Sequence, residues 1–135
     1  MSLGIGGTAK LALQDENTVI YEYAPYNLND PAYRNADSIY DGIITIEKNA
    51  LVEPEIHEKI KRMPGGRKKT IIKRIRVDVD YSNLLKSKKI KIENSRFCWH
   101  IMPNGHGRIA LALISQIFSH YQEEGMIPKT ISYNV

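Results

Sequence analysis

The chain has 135 residues and a mass of 15.4 kDa, a size that fits a single α+β domain over residues 1–135 rather than two. A hydrophobic fraction of 42% and a charged fraction of 25% are those of a globular chain with a core, and exclude the disordered and fibrous classes. The net charge of +4 is unevenly spread: residues 1–58 hold 3 basic and 10 acidic groups, residues 59–91 hold 13 and 2, and residues 92–135 hold 3 and 3.

Met1-Ser2-Leu3 has the form of an expression-vector scar and carries no fold signal. Residues 8–14 and 18–24 alternate apolar and polar, with Leu11 and Leu13 on one face of the first run and Val19, Tyr21 and Tyr23 on one face of the second. Asp15-Glu16-Asn17 between them is turn chemistry, so a hairpin is predicted. Residues 25–41 hold two prolines, three asparagines, three aspartates and three tyrosines and keep no period, which predicts a long loop of the functional or disordered kind. Residues 42–48 read as a strand, with Ile44 and Ile46 on one face.

Residues 53–63 predict a short helix. Pro54 suits its first position, Glu53, Glu55 and Glu58 its positive end, and Lys59, Lys61 and Arg62 its negative end. Ile56, Ile60 and Met63 supply a stripe at helical spacing, and Pro64-Gly65-Gly66 stops it. Residues 69–79 predict the longest strand. Ile71, Ile75, Val77 and Val79 alternate with Arg74, Arg76 and Asp78, so one face should be buried and the other solvated. Asp80 is placed to cap a short turn or helix through Leu85. Residues 88–93 resume alternation, with Ile90 and Ile92 inward and Lys89 and Lys91 outward. Residues 96–102 are apolar and aromatic and predict another strand, followed by a glycine loop.

Residues 108–124 predict the main helix. Ile109, Leu113, Ile117 and Tyr121 form its stripe, widened by Ala110, Ile114 and Phe118, and Gly125 fits its C-terminal cap. Residues 130–135 predict a last strand. The sum is an α+β fold: an antiparallel-rich sheet packed against a buried C-terminal helix, with a second short helix. A chain of this mass should expose about 7,000 Å² when folded.

Cys98 is the only cysteine, so no intramolecular disulfide forms and a cytoplasmic setting is expected. No apolar run approaches the ~20 residues of a membrane span, and no signal peptide is read. Nine lysines and arginines lie between Lys59 and Arg76 with no acid among them. Alternation puts Lys68, Arg74 and Arg76 on the outer face of one strand, and Lys89 and Lys91 on the outer face of another. If those strands are neighbours, like charges line one sheet face at a cost that an opposing polyanion relieves. Arg67, Lys68, Lys69, Arg74, Arg76, Lys89 and Lys91 are therefore the candidate anion contacts, for nucleic acid or another polyanion, or for an acidic protein. The competing reading is a solvated charged face or a protected sheet edge. A third is neutralisation of the basic block by the acidic one, within one molecule or between two, with Asp30, Asp37 and Asp41 facing Arg74 and Arg76.

Pro64-Gly65-Gly66-Arg67-Lys68-Lys69-Thr70 resembles a phosphate loop in composition only, because the spacing and the strand–loop–helix context are absent. Gly4-x-Gly6-Gly7 follows no strand and fails the dinucleotide fingerprint. Tyr26, Tyr33 and Tyr40, with Asn27, Asn29 and Asn35, form a candidate interaction loop of rigid amphipathic area. Cys98, His100 and His106 could supply a thiolate–imidazole pair or three metal ligands, but their spacing matches no zinc family and Cys98 sits in an apolar run. The expected function is a non-catalytic binding module with a basic face, holding no catalytic residue, metal or cofactor. The alternatives are a protein-interaction or self-associating accessory protein that uses the Tyr-rich acidic loop, and a Cys/His-based enzyme or metal site.

Overall fold

The computed structural model describes residues 3–99, 101–103 and 105–134. The fold is α+β. Strands β1 (Ile5–Gln14), β2 (Thr18–Asn27), β3 (Gly42–Glu47), β6 (Ile90–Glu93) and β7 (Thr130–Asn134) form an antiparallel sheet in the order β6-β3-β2-β1-β7. Strands β4 (Glu55–Arg62) and β5 (Lys68–Ile75) form a separate hairpin. Helix α1 (Tyr81–Lys86) is short, and α2 (Arg108–Glu124) covers one face of the large sheet.

Cross-strand register builds the core. Ile92, Ile44, Tyr21 and Leu11 stand in one row, and Ile90, Ile46 and Val19 in the next. Tyr23, Ala9 and Ile131 make a third. Opposed residues share a face, so one row of apolar side chains meets the helix at each step. From α2, Ile109, Ala110, Leu113, Ile114, Ile117 and Phe118 are buried against them. Gly7 marks a close approach of sheet and helix, because a Cβ there would lie 2.7 Å from Cγ2 of Ile109. Tyr21 and Tyr23 are core residues with polar tips, as buried tyrosines require. The Tyr21 hydroxyl donates to the Pro128 carbonyl, and that of Tyr23 donates to Asn94 Oδ1 at 3.2 Å and accepts from the Ser95 N–H. Burial pushes both phenols well above the usual tyrosine range.

The β1–β2 turn forms as predicted. Asp15 Oδ1 accepts from the N–H groups of Asn17 and Thr18 at 2.8 Å each. Leu13 does not share the inward face of Leu11. The register slips between Leu11 and Leu13, so Leu13 pairs with Ile20 and is 60% exposed. One extra residue in a strand turns the next side chain to the other face.

Three element predictions need correction. The segment at residues 53–63 is a strand, not a helix. The same isoleucines fit a period of two, and the β-branched partner strand Thr70-Ile71-Ile72 decides between the two conformations. The second short helix is α1 instead, capped as expected by Asp80, whose side chain accepts from the Asn83 N–H. The strand predicted over residues 69–79 stops at Ile75, and it has no buried face: on β5 only Ile71 is even half-buried. Beyond it, Gln122 of α2 takes over the backbone of Val77, accepting from its N–H at 2.7 Å and donating to its carbonyl at 3.0 Å. In place of a strand at residues 96–102, the described residues form a turn, in which Ser95 Oγ accepts from the Phe97 N–H and the Ser95 carbonyl from the Cys98 N–H. A single bridge, Ile101 to Gly107, follows.

The folded chain exposes 8828 Å², above the roughly 7,000 Å² expected for its mass. The β4–β5 hairpin, exposed on both faces, is the element that departs from a compact body. Among the described residues, no helix is long and apolar enough to cross a membrane.

Candidate functional site: a basic two-stranded arm

The hairpin is set by its turn. Pro64 fixes φ at the second position of a turn from Met63 to Gly66, and Gly65 and Gly66 follow at φ +89° and +83°. A proline followed by a positive-φ glycine is the type II pattern, closed here by Gly66 N–H to the Met63 carbonyl at 3.2 Å. The strands then pair without a slip from Arg62↔Lys68 back to Glu55↔Ile75.

Register sorts the side chains onto two faces. One holds His57, Lys59, Lys61, Lys69 and Lys73, with Glu55, Ile71 and Ile75. The other holds Ile56, Ile60 and Ile72, with Glu58, Thr70, Arg62, Lys68 and Arg74. At the tip two successive rows oppose like charges, Arg62↔Lys68 and Lys61↔Lys69, and Arg67 sits in the turn beside them. Among the described residues, no carboxylate lies within ion-pairing distance of these five.

The base of the arm is fastened to the last turn of α2. Arg74 Nε donates to the Gln122 carbonyl at 2.9 Å, and Arg76 Nε donates to Glu123 Oε1 at 2.9 Å. Ahead of β4, the Tyr121 hydroxyl donates to Glu53. Cations at a helix C-terminus are favourably placed, because its last carbonyls carry partial negative charge.

The predicted anion contacts therefore divide. Arg67, Lys68 and Lys69 lie in the arm. Arg74 and Arg76 are engaged at its root. Lys89 and Lys91 belong to the segment of β6, at the edge of the other sheet, so the two runs of cations are not neighbours. Lys59, Lys61, Arg62 and Lys73 join the arm: the first three were hidden in the sequence by the helical reading of residues 53–63, and Lys73 by its place on the face of residues 69–79 expected to be buried. Their signal was the isoleucine–charge alternation running up to a Pro-Gly-Gly turn.

Among the described residues, no aspartate of residues 25–41 pairs with Arg74 or Arg76. Asp41 pairs with Arg96 at 3.2 Å and accepts from Ser95 Oγ, and Asp30 caps the turn at Pro31–Tyr33 through the Ala32 N–H. Arg76 finds Glu123 and not an aspartate of that segment. The three tyrosines do not make one open surface either. Tyr26 donates to Asn134 Oδ1 at 2.6 Å, and Tyr40 lies under Lys10, whose Nζ is 4.2 Å from the ring centre. Tyr33 is half-buried in its turn. The residue that pins this segment is Asn35, 8% exposed. Its side chain donates to the carbonyls of Pro25 and Ile39 and accepts from the Ile39 N–H.

Cys98 is buried and His106 half-buried, while His100 lies outside the described residues. Among the described residues no three His, Cys, Asp or Glu side chains gather as a metal site. Comparison with protein-family models, with curated proteins and with solved structures gives no match.

Proposed function

We propose that the chain is a nucleic-acid-binding module that grips the phosphate backbone with the β4–β5 arm. The observation that carries this reading is the pair of opposed like-charge rows at the tip, Arg62↔Lys68 and Lys61↔Lys69. Direct like-charge pairs across strands are destabilising, and a two-stranded hairpin is marginal in water to begin with. A polyanion laid against the tip turns that repulsion into attraction and releases counterions from the phosphates.

The contacts are Lys59, Lys61, Arg62, Arg67, Lys68, Lys69 and Lys73. Binding is sequence-tolerant, because lysines dominate the set and phosphate contacts carry no base information. The arm carries no Phe, Tyr or Trp, so it lacks the large rings on which single-stranded bases stack best. A duplex suits it better, since a two-stranded ribbon fits a major groove. The role is binding rather than catalysis, in the reducing cytoplasm that a lone buried cysteine suits.

Fluorescence anisotropy with a labelled duplex tests this. If all seven cations engage, log K falls with log salt at a slope of about −6. A flat salt dependence, or no binding at low salt, overturns the proposal.

A further inference from the structure

The isoleucines of the arm have no role in gripping phosphate. Ile56, Ile60 and Ile72 are 57%, 67% and 60% exposed, and all three fall on one face of a ribbon only two strands wide. We infer that this face is a contact between two copies of the chain, arm against arm, which makes nucleic-acid binding cooperative. The inference rests on the nucleic-acid reading above.

Charge complementarity selects a second copy as the occupant. Glu58 is the one acid on this face. Its cations are Arg62 and Lys68 at the tip and Arg74 at the root, and Arg74 is already committed to the end of α2. The row Glu58–Ile72 lies on one side of the row Ile60–Thr70, and the row Arg62–Lys68 lies on the other. A two-fold axis running along the Ile60–Thr70 row therefore lays Glu58 of each copy over Arg62 of its mate and Ile72 over the stem of Lys68, with the two Ile60 side chains meeting at the centre. Such a face is self-complementary, which an isologous contact requires. The lysine face is not: its one acid, Glu55, sits at the root beside His57, 3.2 Å away. The lysine face thus takes the polyanion alone; the isoleucine face takes another arm, and its tip cations Arg62 and Lys68 stand between Glu58 of the mate and the phosphates.

The area sets the strength. Three rows at about 6.6 Å each, on a ribbon about 10 Å wide, give a footprint of roughly 200 Å² on each arm. Stable complexes bury about 1,200–2,000 Å² in total. The arms therefore do not hold copies together in dilute solution, and pair only where a polyanion gathers them at high local concentration.

The experiment compares a duplex of about 12 base pairs, roughly one helical turn, with one of about 60 base pairs. The wild-type chain should bind the long duplex cooperatively and about tenfold more tightly per site than the short one. The double variant Ile60→Thr, Ile72→Thr keeps β-branched side chains but loses the apolar contact. It should bind the short duplex as the wild type does, with the same salt slope, and lose cooperativity on the long one. Glu58→Lys, which adds charge without disturbing the isoleucines, should also lose cooperativity although its affinity for the short duplex rises. Non-cooperative wild-type binding to the long duplex, or cooperativity that survives in either variant, overturns the inference and leaves the nucleic-acid reading standing. Absence of salt-dependent binding to both duplexes overturns that reading and this inference with it.

Discussion

The large sheet and the arm are built from the same material to opposite ends. Ile44 in β3 is 0% exposed and Ile72 in β5 is 60% exposed, yet both stand in antiparallel strands of alternating sequence. In the sheet, α2 lies across the apolar rows and removes them from water. On the arm nothing among the described residues does so, and its root is the part that touches α2. Alternation therefore announces that a strand has an apolar face; it does not say what covers that face.

The sharpest break of this comparison is a truncation on each side of it. Phe118 is 1% exposed and meets Tyr81 edge-on at 5.4 Å. Phe118→Ala should cost about 3–5 kcal/mol in urea unfolding, whereas Ile72→Ala should cost under about 1 kcal/mol. Similar losses at both sites would mean that the arm is packed and not open.

High pH separates the two regions next. Tyr21 and Tyr23 belong to the sheet, and burial raises both above the ordinary value of 10. A raised acid favours its neutral form in the folded state. Its contribution is complete below the unfolded value of 10 and is lost as pH rises toward the folded value. Above pH ~10, each unit should cost about 1.4 kcal/mol per phenol. Urea midpoints between about pH 9 and pH 11 read this directly, and Tyr21→Phe should lower the slope by about 1.4 kcal/mol per pH unit. The arm contains no tyrosine and should add nothing to it.

The joint between the regions comes third. Gln122 is 3% exposed and satisfies both backbone groups of Val77. Gln122→Leu leaves that N–H and carbonyl without a partner, at a cost of about 1–3 kcal/mol. Amide exchange should quicken at Val77 and along β5 before it does in β2.

The smallest effect is the most discriminating. Lys61→Glu places opposite charges across the Lys61↔Lys69 row, and should stabilise the arm by about 0.2–1 kcal/mol. The same change should weaken duplex binding and flatten its salt slope by about 1–2. Stability and binding moving together would remove the reason for reading the tip as an anion site.

The sheet and α2 were legible in the sequence because period and punctuation agreed there. Tyr21, Ile44 and Ile90 followed a period of two between turn residues, and Gly125 closed the helix where it should, at φ +74°. The arm was half legible. Its charge was visible, but Ile56, Ile60 and Met63 satisfy helical spacing as well as Ile56 and Ile60 satisfy alternation. Only the pairing with residues 68–75, a tertiary fact, settles the conformation. The roles of Arg74, Arg76 and Asn35 were not legible at all. A side chain that caps a helix 48 residues away, as Arg74 does, leaves no local trace. The same holds for Leu13, whose outward turn depends on a slip between two strands.

The position of β1 in the sheet has a consequence in time. It pairs with β2 on one side and with β7 on the other, where Thr8 and Ser132 stand opposite each other 124 residues apart in the chain. During synthesis at about 5–20 residues per second, that neighbour arrives roughly 6–25 s after β1 does. Until then β1 is an open edge, and Gly6-Gly7 with Ala9 offers it little bulk for its own protection. A ribosome that pauses late in this message would leave a paired but unsealed hairpin waiting in the crowded cell.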